Sequence, residues 1–591
     1  SVILAGTSSA VGLVVNSSDN SGMLILLGAN TFRGSTTING GTLSISNDNQ
    51  LGVISSLNAT AILLNGGLLL ASQSFTLNTY RGITLGSNDG TIAAATGAML
   101  TYGGVIADGS ATNNLKINTP TATGTVVLTG SNTYNGDTSI YAGNLIISSD
   151  AALGVIPSGY RTTSTVNLNL AGGTLQASGS FTLSSNRNIN LLSSLGGLAA
   201  SAGASLIYGG TISDGSSSFS LVINGAGQGG SVTLSGANSY GGNTTVNGGT
   251  LVLASGGTLG NTNNTLYLTN AVLDLQTTMT LQGLIMQGSS SIINSAGSSQ
   301  ITVNGNSTLI GSITTSSTQT YLGTVTLAGD VTLNTSNDLI TIGYIYGNGY
   351  NFTTNSGTGN QVLAGGEGIN TLTLDPTYDS WYSDNNYSKD SYTSNTYAKV
   401  SQTGPLTAKS LLMWGYADFE LTNSRNNFGT VAGTGTYSVN LTNQNDLHIG
   451  VVTWNGKQYQ GIDSFNSVNV YSSGGDLYID SGSYVSTSRS GGNISLNTEF
   501  SFINNGGSNS VRPYSSANWS VYSNNPDNDY FGGLNSGWNA NWGGSYGNQF
   551  NDGHNHYNFK SYGTLVITAQ SQSIVYGNVP TLGYTLSGSL V

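Results

Sequence analysis

Along most of this chain an aliphatic residue alternates with Thr or Ser for a few positions and then gives way to Gly, Asn or Asp. Thr250-Leu251-Val252-Leu253, Val325-Thr-Leu327 and Val331-Thr-Leu333 show the pattern, and Leu175 follows the Gly172-Gly173 pair in the same way. A period of two, closed by turn-forming residues, predicts short β-strands with one face buried.

These strands recur in blocks. Gly28-Ala-Asn30-Thr-Phe32-Arg-Gly34 returns as Gly130-Ser-Asn132-Thr-Tyr134-Asn-Gly136 and as Gly236-Ala-Asn238-Ser-Tyr240-Gly-Gly242. The three asparagines stand at offsets of 102 and then 106. Phe75-Thr-Leu77 answers Phe181-Thr-Leu183, and Leu100-Thr-Tyr102-Gly-Gly104 answers Leu206-Ile-Tyr208-Gly-Gly210, both at the offset of 106. A block this long must hold several smaller coils. A finer period shows where Leu421-Thr-Asn423 returns at a spacing of twenty as Leu441-Thr-Asn443, each followed by a Val-rich strand at Thr430-Val431 and Val451-Val452.

A period of that size suits one coil of a parallel β-helix. In such a stack each strand pairs with the coil above and below, and the inward side chains form aliphatic columns. The predicted fold class is therefore all-β: a right-handed parallel β-helix (solenoid) with a C-terminal aromatic cap and a partial β-sandwich repeat. At about 4.8 Å per coil, roughly 500 residues would make a rod on the order of 120 Å long.

Composition narrows the class. Gly supplies 85 of 591 residues and charged residues only 6%, against usual values of roughly 7% and ~25%. Sparse charge can mean disorder, but the strand alternation and the 31 Tyr indicate a folded, turn-dense β protein. A net charge of −12 with only 13 Lys and Arg gives no footing for nucleic acid. No apolar run reaches the ~18 residues of a membrane helix, so no membrane insertion is expected. With no cysteine, an exported protein of this size must rely on backbone ladders. The chain opens at Ser1 beside the strand-like Val2-Ile-Leu4 with no signal peptide, and so reads as a processed or excerpted piece.

Five segments are expected. Residues 1–365 hold β-helix with super-repeats, 366–410 an inserted aromatic loop around Tyr378, Trp381 and Tyr382, and 411–510 continuing coils. Residues 511–562 form a cap or linker, and 563–591 part of an immunoglobulin-like β repeat.

The triplicated motif resembles the β-strand repeat of autotransporter passenger domains. The later coils and the Trp519–Leu534 segment resemble the end of the shaft in filamentous-haemagglutinin-type exoproteins, and Ile574-Val-Tyr-Gly577 to Tyr584-Thr-Leu-Ser-Gly588 resembles the opening of small immunoglobulin-like (MBG-type) repeats. The resemblance implies an extracellular or cell-surface shaft or filament subunit of a Gram-negative bacterium, supporting adhesion or biofilm matrix. The export signal, amino-terminal secretion domain and membrane barrel of the full family are not in this sequence, which leaves the secretion route open. The terminal repeat is too short to close a sandwich alone. Leu565, Ile567, Ile574 and Tyr576 are thus candidates for a strand added to a neighbouring copy, linking subunits into fibres; a chain that stops mid-domain is the plainer alternative.

Chemistry is sparse. His554-Asn-His556 beside Asp552 would share a metal if the histidines lay on one strand face, and Asp527, Asp529 and Asp552 would supply calcium oxygens, but the spacing of a calcium loop is absent. No cofactor is expected, with calcium the one exception left open. Glycosidic hydrolysis needs facing carboxylates, whereas Glu occurs only at 367, 420 and 499, and Asp108 and Asp214 sit in Asp-Gly turns where Asp has a structural use. The sequence therefore reads as non-enzymatic, with a β-helical polysaccharide lyase or hydrolase as second alternative. The first alternative is a carbohydrate-binding adhesin that contacts host or matrix glycans through Trp381, Trp538 and Trp542; the competing reading is that these rings pack loop and cap.

Overall fold

Leu100, Val126, Leu145, Leu175 and Leu198 lie one above another on consecutive turns, each fully buried and paired in parallel with the next. Such columns are what the aliphatic/Thr alternation builds: the inward residue stacks on its counterpart and the outward one meets solvent. The structure, a computed structural model, describes residues 11–17, 21–156, 168–215, 217–225, 227–376, 397–546, 552–571, 573 and 583–588. It is an all-β parallel solenoid of about 21 turns with almost no helix. Contacts divide the chain into two units, Ser1–Asn304 and Gly305–Val591.

In the first unit, turn length is uneven along that one column: the step from Val126 to Leu145 is the shortest and the next, from Leu145 to Leu175, the longest. The regular quantity is therefore the strand register, and the slack sits in the corners. The super-repeat does not close on whole turns. Leu43 leads through Leu69, Ile92 and Ile117 to Ile140, four rungs away on its own face. Leu145 leads in the same way through Leu175, Leu198 and Ile223 to Val246. Because Ile38 and Ile140 stand one strand before Leu43 and Leu145, each copy of the motif has moved on by four turns plus one face.

The motif itself is a set of staples between turns. Asn132 is buried; its Oδ1 accepts from the Ile106 N–H of the turn before (2.8 Å) and its Nδ2 donates to the Ala152 carbonyl of the turn after (2.6 Å). Asn238 does the same with Ile212 (2.9 Å) and Thr258 (2.7 Å), and the Asn30 amide reaches the Gln50 carbonyl at 2.6 Å. The aromatic residue two places on is buried, and in the second and third copies its hydroxyl meets a threonine: Tyr134 with Thr138 and Tyr240 with Thr244, both at 2.6 Å. Gly opens the second and third copies because a Cβ at Gly130 or Gly236 would lie 2.1 or 1.9 Å from the carbonyl oxygen of Gly104 or Gly210. Asp108 and Asp214 accept backbone N–H bonds from Asn135 and Gly241 at 2.8 Å, one turn on, which is the structural use their Asp-Gly setting predicts.

Two arginines related by the repeat offset, unremarked in the sequence, complete these turns. Arg81 donates to Asp48 (2.8 Å) and to the carbonyls of Leu51 and Gly52; Arg187 donates to Asp150 (2.8 Å) and to Leu153 and Gly154. Both acceptors lie on a single-turn 3₁₀ element, Asp48–Leu51 or Asp150–Leu153.

In the second unit Val331, Phe352, Leu372, Leu411, Val431, Ile449 and Ile479 form one inward column. Leu421 stacks on Leu441, so the finer sequence period is one turn here. Several expectations need correction. Strands Gly366–Asp375 and Ala398–Gln402 and the start of Leu406–Trp414 fall inside the stretch read as an inserted loop, 366–410, and most of the remainder lies outside the described residues. Val451-Val452 is not a coil strand: Val451–Trp454 pairs antiparallel with Lys457–Gln460. This hairpin covers Leu412, Trp414 and Ala432 with Val452, Trp454 and Tyr459. The outward column that reads Thr332, Thr353, Thr373 in earlier turns becomes Leu412 and Ala432 beneath it. Coil pairing also continues past 510, since Trp519–Ser523 pairs with Ile494–Thr498.

Candidate functional site

The aromatic cap is built on the last rungs of the second unit. His556–Phe559 pairs with Trp519–Ser523 on one side and with Ala540–Trp542 on the other, so the earlier strand in the chain ends up outermost. Trp519 meets Tyr557 edge-on at 5.0 Å, Phe531 lies 4.6 Å from Tyr557, and Trp542 lies 5.0 Å from Phe559. Buried rings, with the Tyr557 hydroxyl on the Leu534 carbonyl at 2.7 Å, thus replace the aliphatic column where the stack ends.

Trp542 is partly exposed and stacks parallel to Tyr562 at 6.1 Å. Trp538 is 81% exposed and has φ +74, the left-handed region that a bulky residue avoids. Its loop is held by Asn539, whose N–H and side chain bond Ser536, and by the Gly537 N–H on Asn535. A strained backbone that projects a large ring outward is a surface feature. Trp381 lies outside the described residues.

The acidic and histidine candidates separate into three settings. Asp552 holds His556 Nε2 at 2.8 Å, with His554 Nδ1 3.6 Å away, and His556 Nδ1 faces Asn541 at 3.2 Å. Asp527 accepts from the N–H and hydroxyl of Thr564, just before the terminal hairpin. Asp529 is half-buried and accepts from the Phe502 N–H and the Ser523 hydroxyl; desolvation pushes its carboxyl up to about 7 despite those donors. Among the described residues no three His, Asp or Glu side chains are grouped to hold a metal ion.

Leu565–Ala569 pairs antiparallel with Tyr584–Gly588 of its own chain. Leu565, Val566, Ile567, Tyr584 and Leu586 are all exposed, so this two-stranded sheet shows apolar side chains without a covering layer in the described structure. Ile574 and Tyr576 lie outside the described residues.

Comparison with known proteins turns on the motif. The passenger-associated-transport-repeat family model matches residues 19–45, 123–147 and 228–253, the three motif copies. Over 238 residues the chain is 34% identical to the BmaC autotransporter adhesin of Brucella suis biovar 1 (strain 1330). That match covers 38% of this chain and 7% of the relative, so the chain spans a small part of that protein's length. No solved structure matches. The chain is an autotransporter-passenger-like β-helix. In this passenger-like solenoid each matched stretch contains one of the stapling asparagines and ends on an inward strand, Thr42–Ile45, Asn144–Ile147 or Thr250–Leu253. The repeat therefore marks a way of joining turns, and the surface aromatics lie elsewhere in the chain.

Proposed function

We propose that this β-helix is a surface-exposed or secreted shaft of a Gram-negative bacterium that supports adhesion and carries load. The observation that carries the reading is the threefold passenger repeat, in which each copy places a buried asparagine between successive turns. A ladder of this kind distributes tension over many parallel backbone bonds, and the low-charge Thr/Asn/Ser exterior offers few electrostatic contacts to soluble proteins. The adhesin name of the similar protein supports the same role. The arrangement favours a mechanical over an enzymatic part.

Assembly into filaments or biofilm matrix belongs to this reading as its finer form. What supports it is the exposed apolar hairpin Leu565–Ala569/Tyr584–Gly588, whose outer edges would accept a strand from a second copy. Displaying the chain on a non-adherent Gram-negative host tests the reading. Increased attachment to epithelial cells or matrix-coated plastic, together with elongated particles of the purified chain in negative-stain micrographs, is the expected result. Compact particles with unchanged attachment would overturn it.

A carbohydrate-binding adhesin is the second reading, favoured by the projecting, left-handed Trp538 and by the Trp542–Tyr562 pair. Glycan-array signal lost in Trp538→Ala would support it; an array blank for the unaltered chain would remove it.

A further inference from the structure

A row of rings marks one margin of a sheet in the second unit. Tyr397, Tyr416 and Tyr437 each stand immediately before a strand, Ala398–Gln402, Ala417–Leu421 and Ser438–Asn443, and Phe465 stands just before Val468–Ser472. These strands are successive rungs, so the rings occupy the same corner on four consecutive turns. Tyr397 stacks on Tyr437 at 3.8 Å, while Tyr416 meets Tyr437 at 5.2 Å and Phe465 at 5.6 Å edge-on. Arg489 closes the row, its guanidinium 5.8 Å from the Phe465 ring centre and its Nη1 on the Tyr437 hydroxyl at 3.2 Å. None of these rings is in the buried core; Tyr397 is 38% exposed and the other three are half-buried.

Next to the rings runs a polar ladder on the outward face. Glu420, Asn440 and Asn469 are in register on three rungs. Asn440 donates to Glu420 (3.2 Å), Asn469 to Asn440 (2.9 Å) and Asn497 to Asn469 (3.2 Å). A carboxamide has two N–H donors, and the ladder uses one from each of Asn440 and Asn469. Charge balances locally, with Lys399 and Arg489 against Asp418 and Glu420. Among the described residues the close ring pairs run from Tyr344 onward, so this chemistry belongs to the second unit.

We propose that this face binds an extended neutral polysaccharide lying along the turns. The C–H face of a pyranose packs against Tyr and Phe rings as another apolar surface would, while its hydroxyls can exchange hydrogen bonds with amide and carboxylate groups. Rungs recur every ~4.8 Å, of the order of one sugar along an extended chain, so successive sugars meet successive amides. The balanced charge gives no preference for an anionic polymer. The inference rests on the carbohydrate-binding reading and moves its site from the cap tryptophans to the tyrosine row.

Affinity electrophoresis of the full chain tests it, in gels containing hydroxyethylcellulose, a β-1,3-glucan or a galactomannan, with polygalacturonate and heparin as charged counterparts. Retardation by at least one neutral polymer is expected, weakened at least tenfold by Tyr416→Ala combined with Asn440→Ala and unaffected by Trp538→Ala. Arg489→Ala, an exposed change, weakens it several-fold and carries the test if the double variant melts early. No retardation by the neutral polymers, retardation by charged ones alone, or binding that survives in normally melting tyrosine and arginine variants overturns the proposal. Binding lost only in Trp538→Ala overturns this face while leaving the carbohydrate reading intact.

Discussion

Arg187 Nε lies 2.8 Å from the Asp150 carboxylate, with the arginine 1% exposed and the rest of its guanidinium fork on the Leu153 and Gly154 carbonyls. Planar, multidentate geometry of this kind suits arginine and no other cation. The Tyr208 hydroxyl then donates to the Arg187 carbonyl at 2.7 Å, tying the next turn to the same point.

Arg187→Met should therefore loosen the stack locally, because it leaves the Asp150 carboxylate and two carbonyls without their donor. Breaking a buried pair on one side costs about 3–5 kcal/mol. Hydrogen exchange across 144–153 and 181–191 should accelerate by several orders of magnitude, with Arg187→Lys recovering only part of the protection. The same change at Arg81 should cost less, since Asp48 is more exposed than Asp150.

Asn132→Ala removes a donor and an acceptor together, leaving the Ile106 N–H and the Ala152 carbonyl unpaired inside the stack. A loss of about 1–3 kcal/mol per orphaned group follows. Tyr134→Phe should be milder, roughly 0.5–1.5 kcal/mol, because the first copy already carries Phe32 at that place. Exchange protection of the strands Thr125–Leu128 and Asn144–Ile147 measures both.

Asp529 gives the cap a pH dependence. Burial raises its carboxyl from the ordinary 3.8 to about 7, so the folded chain keeps a proton that the unfolded chain releases. Stability of the cap should be greatest below the ordinary value, fall as pH rises from about 3.8 to about 7, and level off above it. Protection of Phe502–Asn504 and Trp519–Ser523 against pH should show that decline, and Asp529→Asn, which keeps a carbonyl for the Phe502 N–H, should flatten it.

The hairpin at Val451–Gln460 is held by one ring above all. Trp454 lies 4.7 Å from Trp414 and donates to Thr353, four rungs earlier, at 3.3 Å. Trp454→Ala should release the hairpin at a cost of roughly 1.5–3 kcal/mol, seen as a red shift of the Trp414 emission with the solenoid's circular dichroism unchanged.

How far the sequence spoke depended on what alternation can encode. Leu421 and Leu441 announced their stacking, and the three motif copies announced equivalent turns, since inward columns demand like residues at like places. Val451-Val452 misled because period two looks the same in an antiparallel hairpin as in a coil. The consecutive apolar residues Leu411 to Trp414 were the available signal, four in a row meaning burial on both faces. Trp519–Ser523 reads as an irregular cap because Trp519 has taken the inward place of Ile494 in a strand that still pairs. Arg81 and Arg187 match at the repeat offset, but a lone cation in apolar text suggests the surface unless its acceptors, more than a full turn upstream, are known to lie beside it. The tyrosine row escaped for a related reason: Tyr397, Tyr416, Tyr437 and Phe465 are unevenly spaced in the chain and align only once turn lengths are known.

Because the motif advances by four turns plus one strand each time, its three copies point in three directions around the first unit. The stapled corners of the first unit therefore form no continuous stripe, and lateral association through the motif has nothing to propagate along. The mismatch between the length of the repeated sentence and the length of a turn thus acts as a built-in guard against copies zipping together through the motif.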